Sequence, residues 1–292
     1  MTSHTLDTEA AWNLILQAIN REDVTLHWPN SAVPALELSK MGEYRLLLPA
    51  KDEARALLDT FLPLCQPRTA RSAQHVIAQL GQSLDGRIAT ATGHSRFING
   101  KDGIVHLHRI RALSDAVVVG AGTAATDNPR LTVRCASGAN PVRVVIDRNR
   151  RVPGSHHLFT DGESPTLRLV AGNYKPDSAR CGGPGTVTEV PCLGSGSTPV
   201  DPELILKVLA DFDLRKIFVE GGGLTVSKFL QAGLLNRLHV MVAPMIIGSG
   251  RPAFSLPEID FLDDALRPGA RFVNLGTDML FDLDFSVALP SS

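Results

Sequence analysis

The chain of 292 residues is long enough for one large domain or two small ones, and its apolar fraction of 43% is ordinary for a packed globular protein. Its formal net charge of -1, from 29 basic and 30 acidic side chains, provides no overall positive field for a nucleic-acid backbone or an anionic membrane. These values favour a small-molecule partner and exclude a nucleic-acid partner held by overall charge.

The cysteines and the first residues indicate where the protein works. The four cysteines are far apart and form no C-x-x-C pair, so the sequence predicts neither a zinc ribbon nor a redox motif. The start lacks a basic segment followed by an apolar one, and no apolar run reaches the roughly 18 residues that would span a bilayer. We therefore expect a soluble, cytoplasmic protein with no membrane partner.

The first part of the chain contains two helical patterns. Residues 8–20 place apolar side chains at helical spacing, which predicts an amphipathic helix with Thr8 as its N-cap. A short apolar run at 44–48 and a second helical pattern at 51–62 follow. The breaker Gln66-Pro-Arg-Thr then predicts a boundary near residue 70. Residues 1–70 would form an N-terminal extension and residues 71–292 the main domain.

The rest of the chain alternates short β-branched runs with helical patterns, which predicts a mainly parallel sheet covered by helices. Strands are expected at 75–80, 115–119, 142–146, 216–219 and 238–242, and helices at 101–113, 202–211 and 224–232. Residues 172–199 are rich in Gly, Pro, Ser and Thr and predict surface loops, with room for one strand around 186–190. Residues 279–287 alternate apolar and polar side chains, which predicts an antiparallel strand and hence a mixed α/β sheet.

A glycine-rich turn follows the strand predicted at 216–219. The segment Lys216 to Thr225 runs through Gly221, Gly222 and Gly223 into a helix. Glycines let backbone N–H groups approach a phosphate, and the positive end of the helix dipole favours the anion, although an ordinary flexible turn would look the same. Glu220 stands at the carboxyl end of the strand, where open α/β sheets bind ligands, and can accept hydrogen bonds from a polar ring.

A second glycine motif raises the main alternative, a Rossmann dehydrogenase. Gly120-x-Gly122-x-x-Ala125 follows a predicted strand, and Asp147 closes a later one. Asn128 precedes a proline and is therefore pushed out of helical geometry, so no helix of ordinary length fits after the glycines. The truncated helix argues against this alternative.

Basic side chains surround these turns. The predicted helix at 101–113 carries His106, His108, Arg109 and Arg111, for which a solvated basic face is the simplest interpretation. Arg111 and Arg134 flank the Gly120 motif, and two guanidinium forks can bind the phosphate of a sugar. No Glu lies at zinc-ligand spacing from the histidines, so we predict no bound metal.

The segment before this helix contains a tight turn. Gly81-Gln-Ser-Leu-Asp-Gly86 followed by Arg87-Ile-Ala-Thr90 predicts a strand, an Asp-Gly turn and a second strand, as in a β-hairpin.

Eight short blocks, in order along the chain, resemble the reductase domain of bacterial bifunctional riboflavin deaminase/reductases over roughly residues 74–286. The blocks are 83–89, 108–111, 115–116, 122–123, 127–134, 141–147, 219–222 and 243–248. The resemblance implies a dihydrofolate-reductase-like α/β fold that binds NADPH and usually forms a homodimer. It also implies reduction of ribose C1′ in 5-amino-6-(5-phosphoribosylamino)uracil, which gives the ribitylamino product.

Site residues are carried over from this family at matching positions. The resemblance implies cofactor contacts for Gly81, Phe97, Thr123, Asp127, Gly222, Gly223, Leu224 and Thr225. Arg148 stands where the family more often has a small polar residue near the cofactor, and it either binds the extra phosphate of NADPH or faces solvent. It implies substrate contacts for Ser95, Arg111, Leu131, Arg134 and Glu220, of which Glu220 is the catalytic candidate. The cofactor would supply the hydride, and the protein would supply placement and charge.

Two further departures from the family concern position 79 and the N-terminal extension. Gln79 stands where the family commonly carries a lysine near the substrate, and a neutral amide lacks the positive charge of an ammonium. Reduction of a related pyrimidine or pteridine in a specialised pathway, or a non-catalytic NADPH-binding role, therefore stays open. Residues 1–70 lack the H-x-E and P-C-x-x-C signatures of the zinc deaminase, so deamination is not expected.

Overall fold

The computed structural model describes residues 4–40, 42–65, 74–96, 98–175, 181–196 and 200–288. The chain divides into two compact units, residues 1–73 and residues 74–292. Within the described part of the chain, no helix has both the length and the apolar character needed to cross a bilayer.

The first unit packs two helices with a small antiparallel sheet. Its elements are α1 (Thr8–Ala18), β1 (Val24–His27), β2 (Pro34–Leu38), β3 (Tyr44–Leu46) and α2 (Asp52–Cys65), with the strand order β1-β2-β3. Trp12 of α1 meets Phe61 of α2 edge to face, with 5.5 Å between ring centroids. The N-cap of α1 is Asp7, whose carboxylate accepts from the Ala10 N–H at 2.9 Å, so the prediction of Thr8 as the cap is wrong.

The second unit contains one large sheet and five helices of the described chain. Its elements are β4 (His75–Ser83), β5 (Arg87–Ala89), α3 (Lys101–Leu113), β6 (Ala116–Gly120), α4 (Ala121–Asp127), β7 (Val142–Ile146), α5 (His157–Thr160), β8 (Thr166–Ala171), β9 (Val187–Leu193), α6 (Pro202–Asp211), β10 (Lys216–Glu220), α7 (Gly223–Gln231), β11 (Arg237–Ala243), β12 (Arg251–Pro252), β13 (Pro268–Leu275) and β14 (Asp278–Ala288). The nine-stranded sheet has the order β13-β14-β11-β4-β10-β6-β7-β8-β9. Two neighbouring pairs in this sheet, β14 with β11 and β14 with β13, are antiparallel. The other neighbouring pairs are parallel. The predicted mixed, mainly parallel α/β sheet is confirmed.

The centre of the sheet is buried on both faces, which explains its continuous apolar runs. Val117, Val118 and Val119 of β6 and Phe218 of β10 are completely buried. A strand covered by helices on both faces needs apolar side chains in both directions, and this is why the sequence reveals these strands so clearly.

The predicted strand, turn and second strand are present as β4, the turn at Gly86 and β5, but the two strands do not pair as a hairpin. The Gly86 N–H donates to the Ser83 carbonyl at 3.0 Å, so the chain does turn there. After the turn, however, β5 pairs with β12 in a separate two-stranded sheet, with Ala89 opposite Arg251. This brings the segment that contains Arg251 next to the carboxyl end of β4.

Candidate active site

A cavity of about 400 Å³ opens at the carboxyl ends of β4 and β10 and beside α4. This size suits a small organic ligand, and the position is the one at which open α/β sheets bind their ligands. Its wall includes side chains or backbone of Gln79, Gly81, Ser95, Asn99, Thr123, Asp127, Leu131, Glu220, Gly222 and Arg251.

An ion pair fixes the carboxylate of Glu220 in this cavity. Arg111, on α3, donates from Nε to Oε2 at 2.7 Å and from Nη2 to Oε1 at 2.5 Å. Its Nη1 also donates to the Thr132 carbonyl at 2.8 Å. The Arg111 and Glu220 side chains are only 5% and 14% exposed. A bidentate fork of this kind sets both the position and the rotation of a carboxylate.

Gln79 lies beside Glu220 on the neighbouring strand. The two residues are partners in the parallel register of β4 and β10. Gln79 is 6% exposed, and its Oε1 is buried with no hydrogen-bond partner among the described residues. An unsatisfied buried acceptor in a cavity wall is a position at which a ligand can donate a hydrogen bond.

The glycine-rich turn approaches α4 closely. Gly222 has φ of +72°, and a Cβ at this position would lie 2.9 Å from Thr123 Oγ1. No side chain caps the start of α7 in the described structure, and the Thr225 N–H closes the turn on the Gly222 carbonyl at 2.8 Å. Backbone N–H groups at an uncapped helix start suit a phosphate, so the turn fits a phosphate-bearing cofactor.

Gly81 makes room for Asn99 in the cavity lining. A Cβ at Gly81 would lie 1.7 Å from Asn99 Oδ1, so no other residue fits unless Asn99 moves. Both Gly81 and Asn99 line the cavity. The absence of a side chain at Gly81 therefore lets the Asn99 amide reach the floor of the cavity.

Arg251 is a cavity residue that the sequence analysis missed. It lies near Asp127. Burial raises the pKa of Asp127, and the positive charges of Arg96 and Arg251 oppose this rise. In the sequence, Arg251 comes after the 243–248 block and the pair Ser249-Gly250. The pairing of β5 with β12 brings this segment to the cavity. The sequence contains no local signal for that pairing.

The predicted site residues divide into two groups. Those that line the cavity are Gly81, Ser95, Thr123, Asp127, Leu131, Glu220 and Gly222. Those outside its lining are Arg111, Arg134, Arg148, Gly223, Leu224 and Thr225. Phe97 lies outside the described residues.

Three of the predicted cations have protein partners. Arg111 is paired with Glu220, Arg134 donates to Thr132 Oγ1 at 2.6 Å, and Arg148 donates to the Gly196 carbonyl at 2.9 Å. Contacts of Arg134 with a substrate phosphate and of Arg148 with a cofactor stay predictions, and each would have to coexist with these bonds.

The expectation of a solvated basic face on α3 is wrong. His106, His108 and Arg111 are buried, because α3 is covered by protein on more than one face. Burial, together with the charges of Arg111 and Arg134, lowers the pKa of His108 to about 4. His108 Nδ1 accepts from the Arg134 N–H at 2.9 Å and so supports the loop behind Glu220. No group of three or more potential metal ligands occurs in the described stretches.

Comparison with known proteins identifies similar chains. A model of the RibD C-terminal domain matches residues 74–275. A reductase from Methanothermobacter thermautotrophicus, named for 2,5-diamino-6-ribosylamino-4(3H)-pyrimidinone 5′-phosphate, is 36% identical over 71% of this chain and 96% of its own length. The riboflavin biosynthesis protein RibD of Aquifex aeolicus is 30% identical over 79% of this chain, which spans only 62% of that protein.

Solved structures give the same result for the fold. Acinetobacter baumannii RibD superposes with a TM-score of 0.60 at 24% identity, over 81% of this chain and 65% of that one. The Thermotoga maritima diaminohydroxyphosphoribosylaminopyrimidine deaminase/5-amino-6-(5-phosphoribosylamino)uracil reductase gives 0.58 at 25% identity, over 81% and 64%. The predicted dihydrofolate-reductase-like fold is therefore the fold of these reductase domains.

Proposed function

Because this chain belongs to the RibD C-terminal domain family, we propose that it is an NADPH-dependent reductase of riboflavin biosynthesis. Its substrate would be a phosphoribosylaminopyrimidine, with 5-amino-6-(5-phosphoribosylamino)uracil as the form that the bacterial resemblance implies. The main support is one arrangement: Glu220, fixed by Arg111, lines the same cavity as the glycine-rich turn at Gly222. A carboxylate that can bind the pyrimidine ring and a turn that can bind a phosphate thus line the same cavity.

The residues present fit a dinucleotide cofactor. Gly81, Thr123 and Asp127 line the cavity, and the turn at Gly222 offers backbone N–H groups. These residues would hold NADPH, which supplies the hydride that ends on C1′ of the substrate.

The chain's own contribution is placement of the ribose relative to the cofactor. Opening of the ribose ring breaks the C1′–O4′ bond, transfers a proton from the glycosidic nitrogen to O4′ and leaves a C1′=N imine. Hydride addition at C1′ and protonation of the nitrogen complete the ribitylamino group. Glu220 would bind the pyrimidine edge and so fix C1′, which lowers the entropic cost of reaching the reactive geometry.

Steady-state kinetics with the purified chain test this proposal. We expect NADPH oxidation that depends on a phosphoribosylaminopyrimidine, with a product two hydrogens heavier by mass spectrometry. NADPH should be used at least about tenfold better than NADH if the extra phosphate is bound by a single charged group. NADPH binding without turnover of any pyrimidine ribotide would contradict the reductase assignment.

We also propose that the protein acts in the cytoplasm as a homodimer. None of the four cysteines forms a disulfide in the described structure, which suits a reducing compartment. Phe272 on the edge strand β13 is 64% exposed, and an apolar edge strand is a suitable surface for a second copy. Sedimentation analysis of the wild type and of Phe272→Glu tests the dimer, because a charge at a buried contact should leave mainly monomer, whereas an unchanged dimer would mean a different interface.

A further inference from the structure

We propose that Arg251 binds a phosphate group of a ligand in this cavity, and that Asp85 is the positioning residue that holds Arg251 in place. The inference rests on the proposed function, in which the substrate and the cofactor both carry phosphate. Neither residue is among the site residues that the family resemblance implies.

The Arg251 guanidinium lies at the cavity and is open to a ligand. Arg251 lines the cavity, and its side chain forms no hydrogen bond or ion pair within the part of the chain that the structure describes. It lies over Gly93, where a Cβ would be 2.8 Å from Arg251 Nη2. Gly93 has φ of +95°, a conformation that residues with a side chain rarely adopt. The glycine therefore leaves space for the guanidinium.

The charges around Arg251 favour an anion. Arg251 is the only lysine or arginine in the described lining, and Arg96 and Arg251 both lie close enough to Asp127 to oppose the rise that burial causes in its pKa. The other carboxylate of this lining, Glu220, is already paired with Arg111. A guanidinium presents a planar fork of N–H donors that matches phosphate oxygens. The 5′-phosphate of the ribotide and the phosphates of NADPH share this chemistry.

Asp85 fixes the loop that precedes Arg251. Its carboxylate accepts from the Ile247 N–H at 3.1 Å and from the Gly248 N–H at 2.6 Å, and Ser83 Oγ donates to it at 2.5 Å. The Ser83 hydroxyl and the two N–H groups lower the pKa of Asp85 to about 2, so the carboxylate is ionised at neutral pH. An ionised acceptor makes stronger hydrogen bonds than a neutral one, so the turn after β4 holds this loop firmly.

Between these bonds and Arg251 the two segments stay in contact. Arg87 Nε donates to the Gly248 carbonyl at 2.9 Å. A Cβ at Gly250 would lie 2.2 Å from the Ala89 carbonyl oxygen, so the backbones approach closely there. Ala89 and Arg251 are then register partners of β5 and β12. The turn after β4 thus sets the position of the Arg251 backbone.

Phosphorylated and dephosphorylated ligands test the role of Arg251 in the full chain. The first arm compares kcat/KM for the phosphoribosylaminopyrimidine with kcat/KM for its riboside, which lacks the 5′-phosphate. The second arm compares the Kd values of NADPH and NADH by fluorescence titration. In Arg251→Gln we expect a phosphorylated ligand to lose about 10- to 100-fold, the usual effect of one charged hydrogen-bonding partner.

The two arms identify the source of the phosphate. A loss for the ribotide but not for the riboside assigns Arg251 to the substrate 5′-phosphate. A loss for NADPH alone assigns it to the 2′-phosphate, and an equal loss for NADPH and NADH assigns it to the pyrophosphate. Equal losses for ribotide and riboside with unchanged cofactor binding, or no loss in either arm, would overturn the inference.

Two further variants control for charge and for general effects. Arg267→Gln should leave all constants at the wild-type values, because Arg267 is also an exposed arginine after the start of β12 but lies outside the described cavity lining. Arg251→Lys should restore part of the lost affinity, because an ammonium keeps the positive charge without the planar fork. An effect of Arg267→Gln as large as that of Arg251→Gln would refute the assignment.

A double-mutant cycle tests the role of Asp85. Asp85→Asn keeps the shape of the side chain but removes the charge and one acceptor, so the phosphate-dependent part of the affinity should fall about three- to tenfold. Adding this change to Arg251→Gln should cause no further loss, because Asp85 acts through Arg251. Additive losses, or a lower Tm with an unchanged preference for the phosphorylated ligand, would show that Asp85 does not position Arg251.

Failure of the proposed function can be separated from failure of this inference. If no ribotide is reduced, the reductase assignment is wrong, and the role of Arg251 is then decided by Kd values from calorimetry, for ribotide against riboside and for NADP⁺ against NAD⁺. A loss of affinity in Arg251→Gln that follows the phosphate would still support the inference. Equal Kd values in the wild type and in Arg251→Gln would overturn it.

Discussion

Glu220→Gln tests whether the Glu220 carboxylate binds the substrate and not the cofactor. Glu220→Gln keeps the shape of the side chain but replaces one acceptor with a donor and leaves Arg111 without its counter-charge. We expect kcat/KM for the pyrimidine ribotide to fall about 100-fold, since hydrogen bonds to charged groups are worth about 1.5–3 kcal/mol. The Kd for NADPH, from fluorescence titration, should change by less than about threefold.

A matched glutamate provides the control for this change. Glu189 also pairs bidentately with an arginine, Arg150, but both side chains are largely exposed and outside the cavity. Glu189→Gln should leave both constants at the wild-type values, because exposed ion pairs contribute little. A loss of NADPH affinity in Glu220→Gln as large as the loss in kcat/KM would contradict the assignment of Glu220 to the substrate.

Gly222 is expected to be essential for the cofactor. Valine at this position would force a β-branched residue into positive φ and place its Cβ 2.9 Å from Thr123 Oγ1. NADPH affinity should fall at least about 100-fold, because the backbone N–H groups would move away from the phosphate. Gly233→Val is the control, since Gly233 has φ of +66° but open space around it. Retention of NADPH binding by the Gly222 variant would refute the position of the phosphate site.

At the scale of elements, α3 is attached to the sheet by a buried histidine pair. His106 Nε2 lies 2.9 Å from His239 Nδ1 on β11, and His239 Nε2 lies 3.2 Å from Asp282 Oδ1 on β14. Burial lowers the pKa of His106 and of His239, and their mutual repulsion lowers that of His106 further. The folded protein therefore favours the neutral rings.

This pair predicts a loss of stability in mild acid. A histidine whose folded pKa lies below its unfolded value of about 6.5 stabilises the fold fully above that pH, and the contribution is lost as the pH falls below it. We expect Tm to be constant from about pH 8 to 7 and to fall by several degrees toward pH 5. In His106→Gln the fall should be smaller, although the variant has a lower Tm at pH 7.

The exposed His94 supplies the control, because His94→Gln should reproduce the wild-type profile. Scanning calorimetry across this pH range gives the curves. A profile of His106→Gln parallel to that of the wild type would show that the pair does not titrate with unfolding.

Local sequence patterns predicted those strands and helices whose characteristic spacing of apolar residues lies within one segment of the chain. The strand at 142–146 and the helices at 101–113 and 202–211 have the predicted bounds. β8 and β13 were not predicted, and the exposed β13 lacks a clear apolar alternation. The pairing of β5 with β12 depends on contacts about 160 residues apart, as the bond from Arg87 to the Gly248 carbonyl illustrates, and turn chemistry alone cannot specify it.

The whole molecule consists of two compact units, and only the second matches the family model. We expect residues 74–292, expressed alone, to fold and to bind NADPH within about threefold of the full chain, because the cavity lining comes from this unit. Circular dichroism and fluorescence titration provide the measurements, with Gly222→Val in the same shortened chain as the control for specific binding. An unfolded fragment would mean that residues 74–292 do not fold independently.

Some residues of the candidate site could be predicted from the sequence, and others are brought together only by the fold of the whole molecule. Glu220 and Gly222 were identified because a strand running into glycines is a local signal. Arg111 was predicted to bind phosphate, but its pairing with Glu220, 109 residues further along the chain, needs the folded sheet. Arg251 and the unsatisfied oxygen of Gln79 are likewise properties of the assembled cavity.

The fork between Arg111 and Glu220 also affects how quickly and how tightly a ligand can be captured. A solvated glutamate samples several rotamers, and a ligand that binds it must order the side chain at a cost of about 0.5–1.5 kcal/mol. Here Arg111 holds both carboxylate oxygens before any ligand arrives. The ordering entropy is therefore lost during folding instead of during binding, so the carboxylate needs no rearrangement in each catalytic cycle.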